Sequence, residues 1–547
     1  MNQLPTLTIL TLLPIVGGIV VVGLPDKRLA RRFALGFSFL SLALALVLWK
    51  SFDATKGELQ FVEKHDWIPL LGVQYFVGVD GLGLLMVLLT AIVVPMALLV
   101  SGRLFEEAPH PSPLPVGRGE GVRRTGEGNS GHSSQLYHAL VLFLQAGLFG
   151  TFTALNFFHW FLFWELSLIP AFFLVRLWGG PQRAPAATQF FVYTMVGSVA
   201  MLLAFLAIFL ATSQPGVPGV FDFIELGKLA ARGELNQALV QHLGWFGLTG
   251  KELALVIFSG VFLGFAVKTP LMPFHTWLPA TYAEAPSPVT MLLTGVMSKM
   301  GVYGFVRILL PIFPEQINWL LTPLLGLAVI TIVFSACAAF AQKDLKRMLS
   351  YSSINHLGYC LLAVFAVAKF SNDPALSTEK TAALNGVFLQ MFNHGLTAAT
   401  LFMFVAFLEQ RSGGLRGLND FGGLRKVAPI FCGLMGIALF SSLGLPGLNG
   451  FVGEFLIFKG VFPLAPWAAG VSVLGLLVTA IFILTILQRV FNGPLNEKWA
   501  KFPDLTPGEI GLLLIPIALM FVLGLYPRLV LDVINPTAVQ MVEQLKF

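Results

Sequence analysis

The chain has 547 residues, of which 56% are hydrophobic and 11% are Asp, Glu, Lys or Arg. Soluble domains carry about 25% charged residues, so the composition excludes an ordinary soluble enzyme. The formal net charge of +6 does not require a nucleic-acid partner, because the cytoplasmic loops of membrane proteins collect Lys and Arg. The composition therefore predicts an all-α polytopic membrane protein.

Apolar runs of roughly 20 residues predict fourteen transmembrane spans. Their centres lie near residues 15, 42, 90, 147, 168, 200, 267, 300, 330, 361, 395, 445, 480 and 518. The loops that follow odd-numbered spans carry roughly twice as many Lys and Arg residues as the opposite loops. The positive-inside rule thus places these loops in the cytoplasm and both termini on the outer side.

Residues 106–135 differ from the rest of the chain. They are rich in Pro, Gly, Ser and charge, a composition that cannot bury a core. We expect a flexible cytoplasmic insertion here, and its composition gives only weak support to a partner-binding role.

Redox and metal chemistry have no sequence signature in this chain. Cys337, Cys360 and Cys432 lie in apolar runs without CxxC spacing, so neither a disulfide framework nor an iron–sulfur site is expected. The stretches GWFGLTGKE and GLGLLM lack the spacing of phosphate-binding and dinucleotide-binding loops. We therefore predict no bound cofactor and no metal.

Four ionisable residues lie inside or beside apolar spans: Glu165, Lys268, Lys299 and Glu454. A charge at mid-bilayer costs about 2.5–3.5 kcal/mol, so each of these residues requires a structural or functional explanation. One reading is a structural ion pair, such as Glu165 with Lys268, which would stabilise packing only weakly. Two acids and two bases spread over four spans favour the other reading, an ion or proton pathway.

Two histidines extend this set. His356 and His394 lie in neighbouring predicted spans, between Lys299 and Glu454 in the chain. Imidazole can exchange protons near neutral pH. Either histidine alone would more often be a packed, hydrogen-bonded residue, but their position between two buried charges favours a relay.

Helix breaks accompany two of the charges. Pro270 and Pro273 follow Lys268, and Pro446 precedes Glu454 in a glycine-rich stretch. Broken spans at matching positions in two halves mark transport sites in inverted-repeat transporters. We predict two inverted five-helix repeats, spans 4–8 and 9–13, in which the broken spans 7 and 12 are counterparts.

This organisation divides the chain into five parts. They are spans 1–3 (1–105), the insertion (106–135), a first repeat (136–312), a second repeat (313–495) and a C-terminal span (496–547).

Three long motifs are specific enough to identify a family. They are KTPLMPFHTWLPATYAEAPSPVTMLLTGVMSKMGVYGFVR, QKDLKRMLSYSSINHLGY and GLPGLNGFVGEF. The chain resembles the antiporter-like, proton-translocating membrane subunits of respiratory complex I, most closely the M-type (NuoM-type) subunits of bacterial NADH-quinone oxidoreductase. The resemblance covers all but residues 106–135.

The resemblance implies roles for the buried residues. Glu165 would be the span-5 glutamate that tunes the lysine of broken span 7, Lys268. Lys299 would connect the two halves, His356 and His394 would be relay histidines, and Glu454 would be the terminal acid of broken span 12.

The resemblance also implies an assembly. The subunit would lie in the bacterial inner membrane with both termini periplasmic. It would contact L-type and N-type antiporter-like subunits and the lipid bilayer, and quinone reduction in other subunits would drive it. NADH, FMN, iron–sulfur clusters and quinone would be bound by those partners, not by this chain.

Two features separate the chain from its relatives or leave alternatives open. Ala280 stands where the family usually has Asp, so a role for that acid is in doubt here. Glu454 argues against the D-type subunits of multisubunit cation/proton antiporters, which usually carry lysine. The photosynthetic NDH complex and a purely structural scaffold remain as alternatives.

Overall fold

The computed structural model describes residues 4–102, 105, 133–243, 247–371 and 373–545. Most of the predicted insertion, residues 106–132, lies outside the described residues. Its predicted end is two residues too late, because the next helix begins at Ser134 with the hydroxyl of Ser133 accepting from the Leu136 N–H.

The N-terminal part combines long helices with a small hairpin. In chain order its elements are α1 (Thr6–Val22), α2 (Lys27–Ser51), β1 (Gln60–Ile68), β2 (Val73–Val79) and α3 (Gly81–Ser101). The hairpin pairs antiparallel, with Lys64 opposite Phe76 and Ile68 opposite Val73. Gly72 makes the turn in the left-handed conformation, which glycine adopts at little cost.

The middle of the chain is mainly helical. Its helices are α4 (Ser134–Thr153), α5 (Phe157–Trp178), α6 (Arg183–Thr212), α7 (Phe223–Ala231), α8 (Glu234–Leu243), α9 (Gly250–Lys268), α10 (Trp277–Glu284), α11 (Ser287–Leu292), α12 (Lys299–Gly304) and α13 (Leu310–Ile312). Two π-helical turns, Leu293–Met297 and Phe305–Leu309, join α11, α12 and α13 into one span. Such turns frequently occur at functional sites.

The remaining helices complete the bundle. They are α14 (Pro314–Trp319), α15 (Leu321–Ala341), α16 (Leu345–Val367), α17 (Pro374–Ser412), α18 (Pro429–Leu443), α19 (Asn449–Leu464), α20 (Pro466–Ile486), α21 (Pro507–Leu525) and α22 (Arg528–Gln544). A further π-helical turn, Leu487–Phe491, extends α20.

Among the described residues, eleven helices are long and apolar enough to cross a membrane, and α1 and α18 are shorter apolar helices. The chain is therefore a mostly helical, multi-pass membrane protein, as predicted. The count of fourteen spans also needs α1, α16 and the α18–α19 segment to cross, and both this count and the repeat arrangement remain predictions. The β-hairpin, the short α7 and α8, and the terminal α22 are elements that the sequence analysis does not predict.

Helix α17 forms the centre of the part of the bundle that carries the candidate residues. Its most apolar stretch is wholly buried, and it packs against α3, α11, α16, α19 and α22. A helix that is apolar on all sides and surrounded by other helices belongs in a protein core within the membrane. Polar side chains on α17 therefore have protein neighbours, not lipid, as partners.

Both predicted helix breaks are present. The first lies between α9 and α10, and the second between α18 and α19. In the first, Thr331 on α15 accepts from the N–H of Met272 at 3.1 Å, and the Trp277 indole N–H donates to the Val267 carbonyl at 3.0 Å. Side chains of other elements thus satisfy backbone groups that the break exposes, as a break inside a membrane requires.

Candidate functional site

Four helices bring titratable side chains into one buried row. Lys299 begins α12, His394 lies in the middle of α17, His356 in the middle of α16, and Glu454 in the first half of α19. None of the four residues is more than 6% exposed. The row therefore has little access to bulk water, and each group depends on its neighbours for hydrogen bonds.

The row begins at Lys299. Its Nζ lies 2.9 Å from Nδ1 of His394, donates to the carbonyl of Thr294, and lies 3.4 Å from the Ser298 hydroxyl. An ammonium can only donate, so Nδ1 of His394 is the acceptor when Lys299 is charged. The neutral His394 ring then carries its proton on Nε2.

The two imidazoles are adjacent. The ring centroids of His394 and His356 lie 4.9 Å apart, with the ring planes inclined by 36°. This spacing is that of rings in contact. A small ring rotation or one bridging water would connect their nitrogens.

Glu454 ends the row. Nδ1 of His356 lies 2.9 Å from Oε1 of Glu454, a close contact without hydrogen-bond alignment. Nε2 of His356 lies 3.2 Å from the Ser442 hydroxyl, and the Gln390 side-chain amide donates to Glu454 Oε1 at 3.3 Å. The carboxylate also reaches back to the second break, because a Cβ on Gly444 would lie 2.6 Å from Glu454 Oε2.

Lys268 and Glu165 form a second, separate group. Lys268 is the last residue of α9 and is 2% exposed, and its Nζ lies 4.8 Å from the ring centroid of Trp164. Neither Lys268 Nζ nor Glu165 Oε1 has a hydrogen-bond partner among the described residues. The expected direct pairing of Lys268 with Glu165 is therefore not formed within that part, and the aromatic face of Trp164 takes its place.

The prolines of the breaks lie where the sequence analysis placed them. Pro270 and Pro273 fall between α9 and α10, and Pro446 falls between α18 and α19. The two charges differ in their position relative to these breaks. Lys268 precedes its break directly, whereas Glu454 is the sixth residue of the helix that follows its break.

Several polar residues of the site are absent from the sequence prediction. Ser442 and Gln390 contact the ends of the relay, and Thr294 also hydrogen-bonds Ser353 across to α16 at 2.9 Å. Serine, threonine and glutamine side chains form hydrogen bonds between membrane helices in general, so their types alone give no signal of a functional site. Only their placement on the same buried faces as Lys299, His356 and Glu454 could have identified them.

A buried ion pair anchors the same span. Arg307 NH2 lies 2.5 Å from Asp80 Oδ1, and this carboxylate oxygen also accepts from the Gly83 N–H at the start of α3. The pair connects the second π-helical turn of the Lys299-bearing span to α3. Within the described residues, no group of three or more His, Cys, Asp or Glu side chains could hold a metal ion.

A family model and several known proteins match this chain. Residues 154–482 match the family described as NADH:quinone oxidoreductase/Mrp antiporter, TM. The chain is 34% identical over 98% of its length to NADH-quinone oxidoreductase subunit M of Mycobacterium tuberculosis, covering 94% of that protein. It is also 34% identical over 97% of its length to F(420)H(2) dehydrogenase subunit M of Methanosarcina mazei, covering 96% of that protein.

Two solved structures are similar to this chain over nearly its full length. A chain of respiratory complex I from Thermus thermophilus superimposes with a TM-score of 0.80 and 28% identity over 99% of this chain and all of that one. A chain of the Mrp complex from Dietzia has a TM-score of 0.78 over 99% of this chain and all of that one, but 19% identity, and so shares the fold. The chain belongs to the NADH:quinone oxidoreductase/Mrp antiporter transmembrane family.

Proposed function

We propose that this chain is a proton-translocating membrane-arm subunit of an NADH-quinone oxidoreductase of the complex I type. The observation that carries the proposal is the buried row Lys299, His394, His356 and Glu454, in which two contacts are 2.9 Å long and the third is between adjacent imidazoles. Intramembrane chains of acids, bases and histidines are the usual form of a proton relay.

The chemistry of the row follows from its hydrogen bonds. A charged Lys299 passes a proton to Nδ1 of His394, and that ring then releases the proton on its Nε2 toward His356. Glu454 receives it from Nδ1 of His356. Each transfer joins neighbouring groups, and the His356–Glu454 contact, which lacks hydrogen-bond alignment, needs a side-chain rotation before the proton can move.

Lys268 and Glu165 are the control point of this proposal. The charged form of a buried lysine is favoured by a nearby carboxylate and disfavoured by burial alone. A movement at the first break that changes the distance from Lys268 to Glu165 would therefore load or unload the lysine. The face of Trp164 holds the ammonium in the meantime.

The energy for transport comes from outside the chain in this proposal. Moving one charge against 100 mV costs about 2.3 kcal/mol. Relatives of nearly equal identity are named for different donors, NADH and F(420)H(2), which supports a part common to these complexes whose donor chemistry lies elsewhere. We place NADH, FMN, iron–sulfur clusters and quinone in partner subunits, with L-type and N-type subunits as membrane neighbours and both termini periplasmic.

A native gel and a pumping assay test the proposal together. Membranes from cells that carry a tagged chain are solubilised, and we expect the chain to co-migrate with NADH dehydrogenase activity. Inverted vesicles from the same cells should acidify on NADH addition in sodium-free buffer, and vesicles that lack the chain should not. Co-migration without loss of acidification when the chain is absent would refute the translocating role.

A second candidate, a subunit of a cation/proton antiporter, has support from the fold shared with the Mrp complex. It predicts sodium-dependent pH changes in vesicles without NADH, and a chain that migrates apart from NADH dehydrogenase activity. Glu454 in contact with His356 favours the first proposal, because the antiporter D-type pattern has lysine at that position.

A further inference from the structure

We infer that a cleft at one end of α2 is a binding site for the head group of an anionic phospholipid that carries a free hydroxyl, such as phosphatidylglycerol. The cleft lies outside the relay and has a volume of about 670 Å³. Its lining residues are Lys27, Arg28, Arg31, Arg32, Leu35, Gly102, Phe105, Ser134 and His138.

The charge of the cleft is one-sided. Four cations occupy the first six residues of α2, and no carboxylate is among the lining residues that the structure describes. Lys27, Arg28 and Arg32 are exposed and form no ion pair within the described part of the chain. Basic pockets between transmembrane helices on the cytoplasmic side are suited to anionic lipid head groups, and the sequence analysis places this end of α2 in the cytoplasm.

Arg31 is positioned by the backbone at the end of α3. Its NH2 donates to the Leu99 carbonyl at 3.2 Å, and its guanidinium lies against Gly102, where an added Cβ would come within 1.9 Å of Cζ. The exposed guanidinium of Arg28 or Arg32 on the rim can bind a phosphate through two parallel hydrogen bonds. Arg31 thus forms the floor of the cleft, and the other cations form its rim.

His138 gives the second, independent indication of a ligand. It is fully buried, and its Nδ1 donates to the Ser134 carbonyl at 2.6 Å. Nε2 of the neutral ring is then an acceptor, and it has no partner among the described residues. The ionised phosphodiester of a lipid carries no proton to donate, whereas the glycerol hydroxyl of phosphatidylglycerol does.

The helix below the cleft suits the lipid tails. Phe33, Phe39 and Leu40 on α2 are exposed, and only about a quarter of the most apolar stretch of α2 is buried inside the chain. Acyl chains can therefore run along α2 directly beneath the cationic rim. A free phosphate would not contact this apolar surface, and for this reason we infer that the ligand is a lipid.

The test uses the whole complex in nanodiscs that contain a photoactivatable phosphatidylglycerol, with labelled peptides mapped after illumination. We expect labelling of α2 and α4 next to the cleft, less labelling with a probe of phosphatidylmethanol, an anionic phosphodiester without a hydroxyl, and least with a phosphatidylcholine probe. The variant Arg28→Gln/Arg32→Gln should reduce phosphatidylglycerol labelling about tenfold or more. Arg176→Gln, which removes an exposed arginine at the end of α5 on the same predicted face, should not.

Each alternative occupant of the cleft predicts a different labelling result. Equal labelling by phosphatidylglycerol and phosphatidylcholine would overturn the site, and this comparison needs no variant to fold. Displacement of the probe by inorganic phosphate would assign the cleft to a free anion. Labelling that is absent in the full chain but present after deletion of residues 106–132 would assign it to the chain's own segment. Equal labelling by phosphatidylmethanol would remove the role given to His138.

Discussion

Nζ of Lys299 lies 2.9 Å from Nδ1 of His394, and this contact joins the span with π-helical turns to the buried central helix α17. The two residues are 95 positions apart in the chain. Because the ammonium is the donor, the contact sets the tautomer of the neutral histidine, which carries its proton on Nε2. Removing the lysine therefore disrupts both the charge and the orientation of the next group.

We predict that Lys299→Ala in the assembled complex reduces proton pumping by about tenfold or more, the loss expected when a positioned proton donor is removed. The measurement is the initial rate of NADH-driven acidification of inverted vesicles, normalised to the amount of complex on a native gel. Lys459→Ala is the control, because Lys459 forms an exposed ion pair with Glu379, and it should pump normally. If the two variants pump protons at the same rate, Lys299 is not part of the proton path.

His356 and Glu454 act as a unit in the proposed relay, since 2.9 Å separates their nearest atoms. His356→Ala and Glu454→Gln should each strongly reduce pumping, and the double variant should be little worse than either single one, because residues in contact are not additive. Ser442→Ala removes only the group that faces Nε2 of His356, so a loss of a few-fold is expected. Losses that multiply in the double variant would show that the two residues lie on separate paths.

Two residues of the proposed relay stand out in the sequence because each breaks a strong rule, whereas the two histidines are selected by their position between these two charges. Lys299 and Glu454 are costly in an apolar span, and prolines and glycines mark the breaks beside Lys268 and Glu454. The order of contacts could not be predicted, since α12, α16, α17 and α19 meet only through packing. The direct contact considered between Lys268 and Glu165 rested on opposite charge and on the family resemblance, and the adjacent Trp164 contacts Lys268 instead.

The elements missed in the fold are those without a long apolar run. Helices α7 and α8 have 9 and 10 residues, too few to produce the signal of a span. Strands β1 and β2 lie in the loop before α3, where bulges interrupt the regular pairing. Helix α22 is amphipathic, and it docks through contacts distant in the chain, such as the hydrogen bond from the Gly81 N–H to the Thr537 hydroxyl at 3.0 Å.

The ring face of Trp164 should affect proton pumping, because the ammonium of Lys268 lies over it. We predict that Trp164→Leu lowers the number of protons pumped per NADH oxidised several-fold, because a desolvated cation–π contact is worth about 2 kcal/mol. Trp164→Phe keeps an aromatic face and loses only the indole N–H that donates to Ser198 at 3.0 Å, so it should retain most of the activity. Trp467→Leu, at an exposed position on α20, is the control for loss of a tryptophan. A Trp164→Leu complex with an unchanged proton ratio would show that Lys268 does not depend on this contact.

The Asp80–Arg307 pair should matter for assembly. Arg307→Gln leaves the Asp80 carboxylate buried without its charged partner, which costs about 3–5 kcal/mol. We expect much less intact complex on a native gel, and partial recovery in Asp80→Asn/Arg307→Gln, where no unpaired charge remains. Arg528→Gln breaks an exposed pair with Asp532, and its effect should stay below about 1 kcal/mol. An Arg307→Gln complex as abundant as Arg528→Gln would contradict the anchoring role.

Gly450 tests how closely the second break is packed. It is the second residue of α19, and a Cβ there would lie 2.0 Å from the carbonyl oxygen of Ser441 at the end of α18. The clash is with backbone, which cannot move aside as a flexible side chain can, so Gly450→Ala should cost about 1–3 kcal/mol or more. Because α19 also carries Glu454, the displacement of α19 should lower the rate of proton pumping per assembled complex. It should also lower the temperature at which the chain dissociates from the complex on heating.

The matched control for this substitution is Gly433→Ala on α18. A Cβ at Gly433 meets no atom within 4 Å among the described residues, and alanine is favoured over glycine in a helix by about 0.5–1 kcal/mol. The Gly433→Ala complex should therefore be at least as stable as the unsubstituted one and pump at the same rate. If heating releases the chain from both variants at the same temperature and they pump equally, the close approach of α19 to α18 does not position Glu454.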